Sequence, residues 1–486
     1  MHANPTHLDL QATAKRIMQE HGFDPEFPVE VATQLASLRE PAQIVSGKDM
    51  HDLRNLLWSS IDNDTSRDLD QIEVAERVSN DDVKILIGVA DVDAYVARET
   101  PIDQHAARET TTVYAGVRNF PMLPEQLSTG ITSLLEEEDR RAIVVEFVVG
   151  SDGCIKSSDV YSALVRNKAQ LQYNSLGVWL EGNSAAPPKV AASADLQEQL
   201  KLQDEVAQKL KEQRFQHGAL TLQTDEVHAL VLNDQLVDIE KQPKNRATDL
   251  IEDFMVAANG VVARMLENVS SLRRIVRTPK RWDRIVALAA TKGENLPAQP
   301  DSKALNDFLL RRKAADPDHF ADLSLAVIKL IGPGEYVLER AGDTAPGHFG
   351  LAVRDYTHST APNRRFADVV TQRLVKAKLA GQKNPYSDDE LNGIASNCTA
   401  KEDAARKVER EMSKRLAAIA MQKSIGQVFD AIVTGVTEHG TFVRVLQPYI
   451  EGLLAQGSHG LDVGDKIRAK LIRTDPQQGY IDFARA

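Results

Sequence analysis

The chain has 486 residues, 42% of them hydrophobic, and a formal net charge of −12. That length accommodates roughly two to four domains and a large core. The acidic balance excludes a uniformly sticky nucleic-acid binder but not a local basic channel. The first fifty residues read as a short helical segment, because Leu10, Ala14, Ile17 and Met18 keep a helical spacing that Gly22 can end, and Val29 to Leu38 can form a second helix. Residues 51–383 read as one large α+β domain, with strand-like runs at Val83 to Val92, Ala142 to Val149 and Val227 to Leu232 between helical stretches such as Leu196 to Phe215 and Ala247 to Leu266. Connecting helices are expected over 384–425, where Ser387 with Glu390 and Thr399 with Glu402 each have capping-box spacing. The stripe Val408, Met412, Leu416 and Ile419 reads as core packing. Over 426–486 short strands punctuated by glycine predict an OB-fold barrel, with four strands legible and room for a fifth.

Cys154 and Cys398 are the only cysteines and lie far apart, so a disulfide framework is not indicated. The N-terminus lacks a basic-then-apolar leader pattern. The longest apolar run, Ala142 to Val149, is short and interrupted by Glu146. A reducing cytoplasm, no membrane partner and a monomer are the expectations.

The run Ser60-Ile61-Asp62-Asn63-Asp64-Thr65-Ser66-Arg67-Asp68-Leu69-Asp70-Gln71 carries the chemistry. Carboxylates this close repel one another unless a cation neutralises them. Hard oxygen donors without sulfur or imidazole suit Mg²⁺, Mn²⁺ or Ca²⁺ rather than zinc. A helix-loop-helix calcium loop is the rival, since Glu73 falls at its twelfth position, but Arg67 stands where that loop needs glycine. A solvated acidic loop is the bland alternative.

A second block, Tyr356 to Asp368, supplies cations. Phe366, Val369, Val370, Leu374 and Ala377 give a helical stripe with Pro362 near its start, which puts Arg364 and Arg365 in the first turn. A phosphate arriving there would meet backbone N–H groups and a guanidinium fork. The competing role for either arginine is an ion pair with Asp355 or Asp368. Tyr114 and Tyr173 are candidates for stacking on single-stranded bases, although an isolated tyrosine is more often a partly buried core residue.

Taken together, these blocks resemble the ribonuclease II/R (RNB) family. The others are Val89-Ala90-Asp91-Val92 with Tyr95-Val96, Phe120-Pro121-Met122-Leu123-Pro124 with Leu127-Ser128, Leu250 to Met255 with Ala258-Asn259, and Gly347 to Leu351. The resemblance implies Mg²⁺-dependent hydrolysis of single-stranded RNA from its 3′ end to 5′-nucleotides, with Mn²⁺ as an alternative ion. It places Asp62, Asp68 and Asp70 on the family's catalytic and metal positions and Arg364 on its phosphate-contacting arginine. Tyr114 falls on the aromatic that stacks on the last base, and Tyr173 and Glu252 on positions that recognise the terminal nucleotide. Leu222, in Gly218 to Leu222, stands where a second clamping aromatic is common, and Arg365 is a further RNA-contact candidate. Gln71 replaces a family aspartate, so a catalytically impaired RNA-binding protein is the alternative function. The first fifty residues are too few for a complete RNA-guiding barrel.

Overall fold

β-Branched runs build the sheet that carries the acidic segment. The computed structural model describes residues 9–38, 50–79, 81–223, 226–232, 235–242, 244–344 and 346–486. The strand order in the sheet is His51–Asp52, Ile155–Gln172, Trp58–Asp62, Gln71–Arg77, Val83–Ala90 and Asp139–Val149. The 18-residue strand Ile155–Gln172 is long enough to pair with Trp58–Asp62 at one end and Asp139–Val149 at the other, so the sheet closes on itself. Alternation sorts the side chains. Ile61, Ala75, Ile85, Ile87 and Val89 enter one core with Phe254 of the helix Arg246–Met265. Trp58, Leu69, Ile72, Val74 and Leu86 enter a second core on the other face.

Strands therefore flank the acidic run on both sides, which removes the helix-loop-helix reading. The α+β class stands. The helices Trp282–Thr291, Ser302–Ala315 and Phe320–Ile331, which the sequence reading did not resolve, pack around Trp282, Phe308 and Phe320.

Two expectations about helices need correction. The region after 384 holds one continuous helix, Asp388–Met421, rather than two. Ser387 and Glu390 do form its capping box, but Thr399 lies inside the helix, where its hydroxyl accepts the Tyr336 N–H at 2.8 Å, and Glu402 pairs with Arg274. The second capping-box spacing was fulfilled by tertiary contacts instead of a helix start. The helix after Pro362 begins at Phe366, with Arg365 at the N-cap and Arg364 in the turn before it, so neither guanidinium opposes a helix dipole from the first turn.

The helix Leu10–Glu20 buries Ala14, Ile17 and Met18 against Val113, Phe120, Val408 and Met412. It thereby supports the hairpin of Val113–Tyr114 and Asn119–Phe120. A second helix, Val29–Ser37, follows, and the rest of the first fifty residues lies outside the described residues.

The C-terminal strands Val428–Thr437, Gly440–Val445, Ile450–Gln456, Lys466–Asp475 and Tyr480–Arg485 form a closed barrel, and Ile450–Gln456 is the fifth strand. Gly452 is required there, because a Cβ would come within 2.4 Å of the Ile481 carbonyl oxygen and 2.7 Å of the Phe483 ring. Arg444 of the barrel donates to Asp322 at 2.5 Å, and Arg415 of the long helix donates to the Gln477 carbonyl at 3.1 Å. Among the described residues, no helix is long and apolar enough to cross a membrane.

Phe254 is fully buried and joins the Arg246–Met265 helix to the sheet core. Phe254→Ala should lower the unfolding free energy by about 3–5 kcal/mol, read as a fall in the urea midpoint. A loss under about 1 kcal/mol would show that this helix is not anchored by that ring.

Candidate functional site

In the extended segment Asp68-Leu69-Asp70, alternation sends Leu69 into the core and turns the two carboxylates the other way. The Leu127–Leu135 region clamps this segment. Ser133 Oγ accepts the Leu69 N–H at 2.9 Å and donates to the Arg67 carbonyl at 2.8 Å, while the Leu134 N–H donates to the Leu69 carbonyl at 3.0 Å. Asp62 ends its strand beside Gln172, one residue before Tyr173.

The arginine block closes over these aspartates. Asp70 is buried, with its Oδ1 accepting the Asn363 N–H at 2.9 Å and its Oδ2 accepting from Arg364 Nε at 3.3 Å. Thr132 Oγ1 donates to Asn363 Oδ1 at 2.6 Å, and the Thr112 N–H donates to the Arg364 carbonyl at 3.0 Å. Arg364 has protein on several sides yet keeps 46% of its side chain open to solvent. Tyr114 lies beside it and is likewise 41% exposed.

The electrostatics follow from this crowding. Burial raises the Asp62 carboxyl to about 7, with Arg364 pulling it down and Asp68 pushing it up. Burial also raises Asp70 to about 7 against the pull of Arg364 and the Asn363 N–H. Asp68 is raised, chiefly by burial. Burial pushes the Tyr114 phenol up to about 12 and raises that of Tyr173, whose charged neighbours are Asp62, Glu73 and Arg364. Asp62, Asp68, Asp70, Arg364, Tyr114 and Tyr173 thus share one locality.

Three further candidates are placed differently. Arg365 donates to Asp368 Oδ1 at 2.8 Å, and that oxygen also accepts the Ala361 N–H at 2.8 Å. The ion-pair alternative therefore describes Arg365, which braces the turn that aims Arg364. Glu252 is exposed on its helix and accepts from Lys244 at 2.7 Å. Leu222 packs against the Trp282 and Phe308 cluster, and its neighbour Thr221 donates its N–H to Asn306 at 2.7 Å.

Among the described residues, no three Asp, Glu, His or Cys side chains converge closely enough to form a preassembled cation cage. The donors nevertheless fit a cation. Asp62 Oδ2 and both carboxylate oxygens of Glu73 are buried without a hydrogen-bond partner. Around one guanidinium, the surplus of buried carboxylate must be met by protons or a cation, and all-oxygen donors suit a hard divalent ion. The sequence gives Asn363 no role and offers Glu73 only as the twelfth position of the calcium loop. Nothing in the sequence points to a backbone N–H at Asn363, whereas strand alternation puts the Glu73 carboxylate on the same face as Gln71.

The RNB domain model matches residues 50–381, and the RNase II-type exonuclease C-terminal S1 domain model matches residues 427–486. Ribonuclease R of Thermotoga maritima is 30% identical over 495 residues, which cover 94% of this chain and 68% of the relative. Ribonuclease R 1 of Lactococcus lactis is 29% identical, with 94% of this chain and 59% of the relative covered. For Ribonuclease R of Escherichia coli the values are 28%, 95% and 58%, so the chain spans about three-fifths to two-thirds of the length of these relatives. In fold it is similar to Mycoplasma genitalium RNase R in complex with ribose methylated single-stranded RNA, with a TM-score of 0.88, 23% identity, and 98% of this chain and 78% of the other covered. It is also similar to yeast Ssd1, a pseudonuclease, with a TM-score of 0.70, 18% identity, and 91% and 55% covered.

The raised carboxyls dictate a pH dependence. Asp62 and Asp70 hold protons up to about pH 7 in the folded chain but release them near 3.9 when unfolded. The folded chain binds more protons between about pH 4 and 7, so the stability of the cation-free protein falls as pH rises through that window. Urea unfolding in chelator should give a lower free energy at about pH 7.5 than at about pH 5, and Asp62→Asn should shrink that difference. An unchanged difference in the variant would remove Asp62 from the account.

Proposed function

The chain belongs to the RNB-domain family, and on that premise we propose that it is a hydrolytic 3′–5′ exoribonuclease acting on single-stranded RNA and releasing 5′-nucleoside monophosphates. The observation that carries this reading is the contact between Arg364 and buried Asp70 at 3.3 Å, which joins the acidic run to the arginine block across 294 positions of sequence.

In this reading Asp62, Asp68 and Asp70 would hold a divalent ion, Mg²⁺ or Mn²⁺. When bound, such an ion lowers the pKa of a coordinated water and stabilises a leaving oxygen. The protein's own groups do the rest. Asp70 takes the Arg364 Nε–H and so fixes the plane of the guanidinium at the cleft. A guanidinium held this way offsets charge that grows on phosphoryl oxygens without reorganising during the reaction. Tyr114, half exposed beside Arg364, would stack on the last base, worth about 1–3 kcal/mol. Tyr173 borders the same carboxylates. Contacts to 2′-hydroxyls would favour RNA over DNA.

The second reading is an RNA-binding protein with impaired hydrolysis. It is motivated by Gln71 and by the fold's occurrence in a pseudonuclease. A 3′-labelled oligoribonucleotide separates the two. The wild type with Mg²⁺ should release labelled 5′-monophosphate, leave the equivalent DNA largely intact, and stop when chelator is added. Arg364→Met should slow release by about 10²–10³-fold while changing RNA affinity far less. A wild type that binds the RNA but never shortens it in Mg²⁺ or Mn²⁺ would establish the binding-protein reading.

A further inference from the structure

We propose that Glu73 is a ligand of the divalent cation in this chain, supplying from two residues further along the strand the carboxylate that Gln71 lacks. The inference rests on the reading that the aspartate cluster binds a divalent cation.

The strand Gln71–Arg77 alternates strictly. Ile72 and Val74 enter the core that holds Trp58 and Leu69, while Ala75 enters the opposite core with Ile85, Ile87 and Val89. Gln71 and Glu73 share the face of Ala75. The register is explicit, with Gln71 opposite Val89, Glu73 opposite Ile87, and Ser59 across from Glu73 on the other side. The surrounding wall is made of β-branched apolar side chains, where an ionisable group is costly unless something offsets it.

Among the described residues, no side chain offsets it. Glu73 is fully buried, and neither carboxylate oxygen has a hydrogen-bond partner. Ser59 Oγ across the strand is buried without a partner as well. The charged group that acts on Glu73 is Asp62, which repels it, and Asp62 presents an unpartnered Oδ2 of its own. Gln71 reaches Asp62 at 3.5 Å from Nε2 to Oδ1, so the end of the strand that carries Gln71 and Glu73 abuts the aspartate cluster. A cation between Asp62 and Glu73 would turn their repulsion into shared coordination and use the unpartnered oxygens of both.

The test uses metal-stripped full-length protein with Mn²⁺ as the probe. Free Mn²⁺ is followed by electron paramagnetic resonance, and thermal melting is recorded with and without the ion. Glu73→Gln keeps the shape and removes the charge. It should weaken Mn²⁺ binding by about tenfold or more and abolish most of the Mn²⁺-dependent rise in Tm. Adding Gln71→Asp to Glu73→Gln should restore both. In the wild-type background Gln71→Asp should change affinity by less than about threefold, because Glu73 already provides the charge. Unchanged Mn²⁺ affinity in Glu73→Gln overturns the proposal and leaves Glu73 as a buried protonated acid. If Glu73→Gln fails to fold, Gln71→Asp alone decides, since a tightening of about tenfold or more would mean that no carboxylate was serving that position. A wild type that binds no Mn²⁺ would instead overturn the cation reading itself.

Discussion

Asp70 cannot be buried without donors, and the chain supplies them from the far end of the same domain. The Asn363 N–H and the Arg364 guanidinium both reach its carboxylate. A buried carboxylate that loses its partners costs about 3–5 kcal/mol. The fold is therefore under pressure to keep the acidic segment and the arginine turn together, and most of the local architecture can be understood as meeting that demand. Ser133 and Leu134 fix the acidic segment from below. Thr132 fixes Asn363. Arg365 and Asp368 fix the turn from the other side. Two adjacent arginines thus do different work, one bracing the backbone and the other reaching into the cleft.

The helix that follows the turn is tied to the sheet by a second polar network. Gln372 donates to the Ala90 carbonyl at 2.9 Å and accepts the Asp93 N–H at 3.0 Å, while Lys376 pairs with Asp91 at 3.0 Å. These contacts attach the helix Phe366–Leu379 to the end of the strand Val83–Ala90, next to where the Ala90 N–H donates to the Asp70 carbonyl at 2.9 Å. Strand end, helix start and acidic segment form one unit. A rigid unit of this kind presents Arg364 in a fixed direction, which is what electrostatic stabilisation of a transition state requires.

Much of this was legible in the sequence because it depends on local pattern. Strand alternation, the helical stripe after Phe366 and the glycine-punctuated barrel strands are short-range signals, and the barrel's closed topology follows from them. The parts that could not be read depend on what a side chain meets in space. Thr399 and Glu402 have the spacing of a helix start, but Tyr336 and Arg274 had already claimed them. Arg364 and Arg365 are indistinguishable by pattern, and their roles separate because Asp70 takes the first and Asp368 the second. Leu222 could be aligned with an aromatic position, whereas its packing against the helical cluster is a tertiary fact. Glu73 is the instructive case. The sequence offers it only as the twelfth position of a calcium loop, and its place on the face of Gln71, whose amide reaches Asp62, depends on the strand pairing.

Gln71 and Glu73 also bear on whether the cleft retains chemistry. A scaffold that only binds RNA gains from cations along the phosphate path and has no use for buried carboxylates, each of which repels the ligand and costs desolvation. Here Asp62, Asp68 and Asp70 act on Arg364 and Glu73 acts on Asp62, and burial raises the carboxyls of Asp62 and Asp70 to about 7 and that of Glu73 well above the ordinary range. The loss of charge at Gln71 is matched by a carboxylate on the same face of the same strand. In the proposed reading, concentrating acids where an RNA phosphate would come is unfavourable for binding and intelligible for divalent-ion chemistry, because a cation placed between acid and phosphate makes both tolerable.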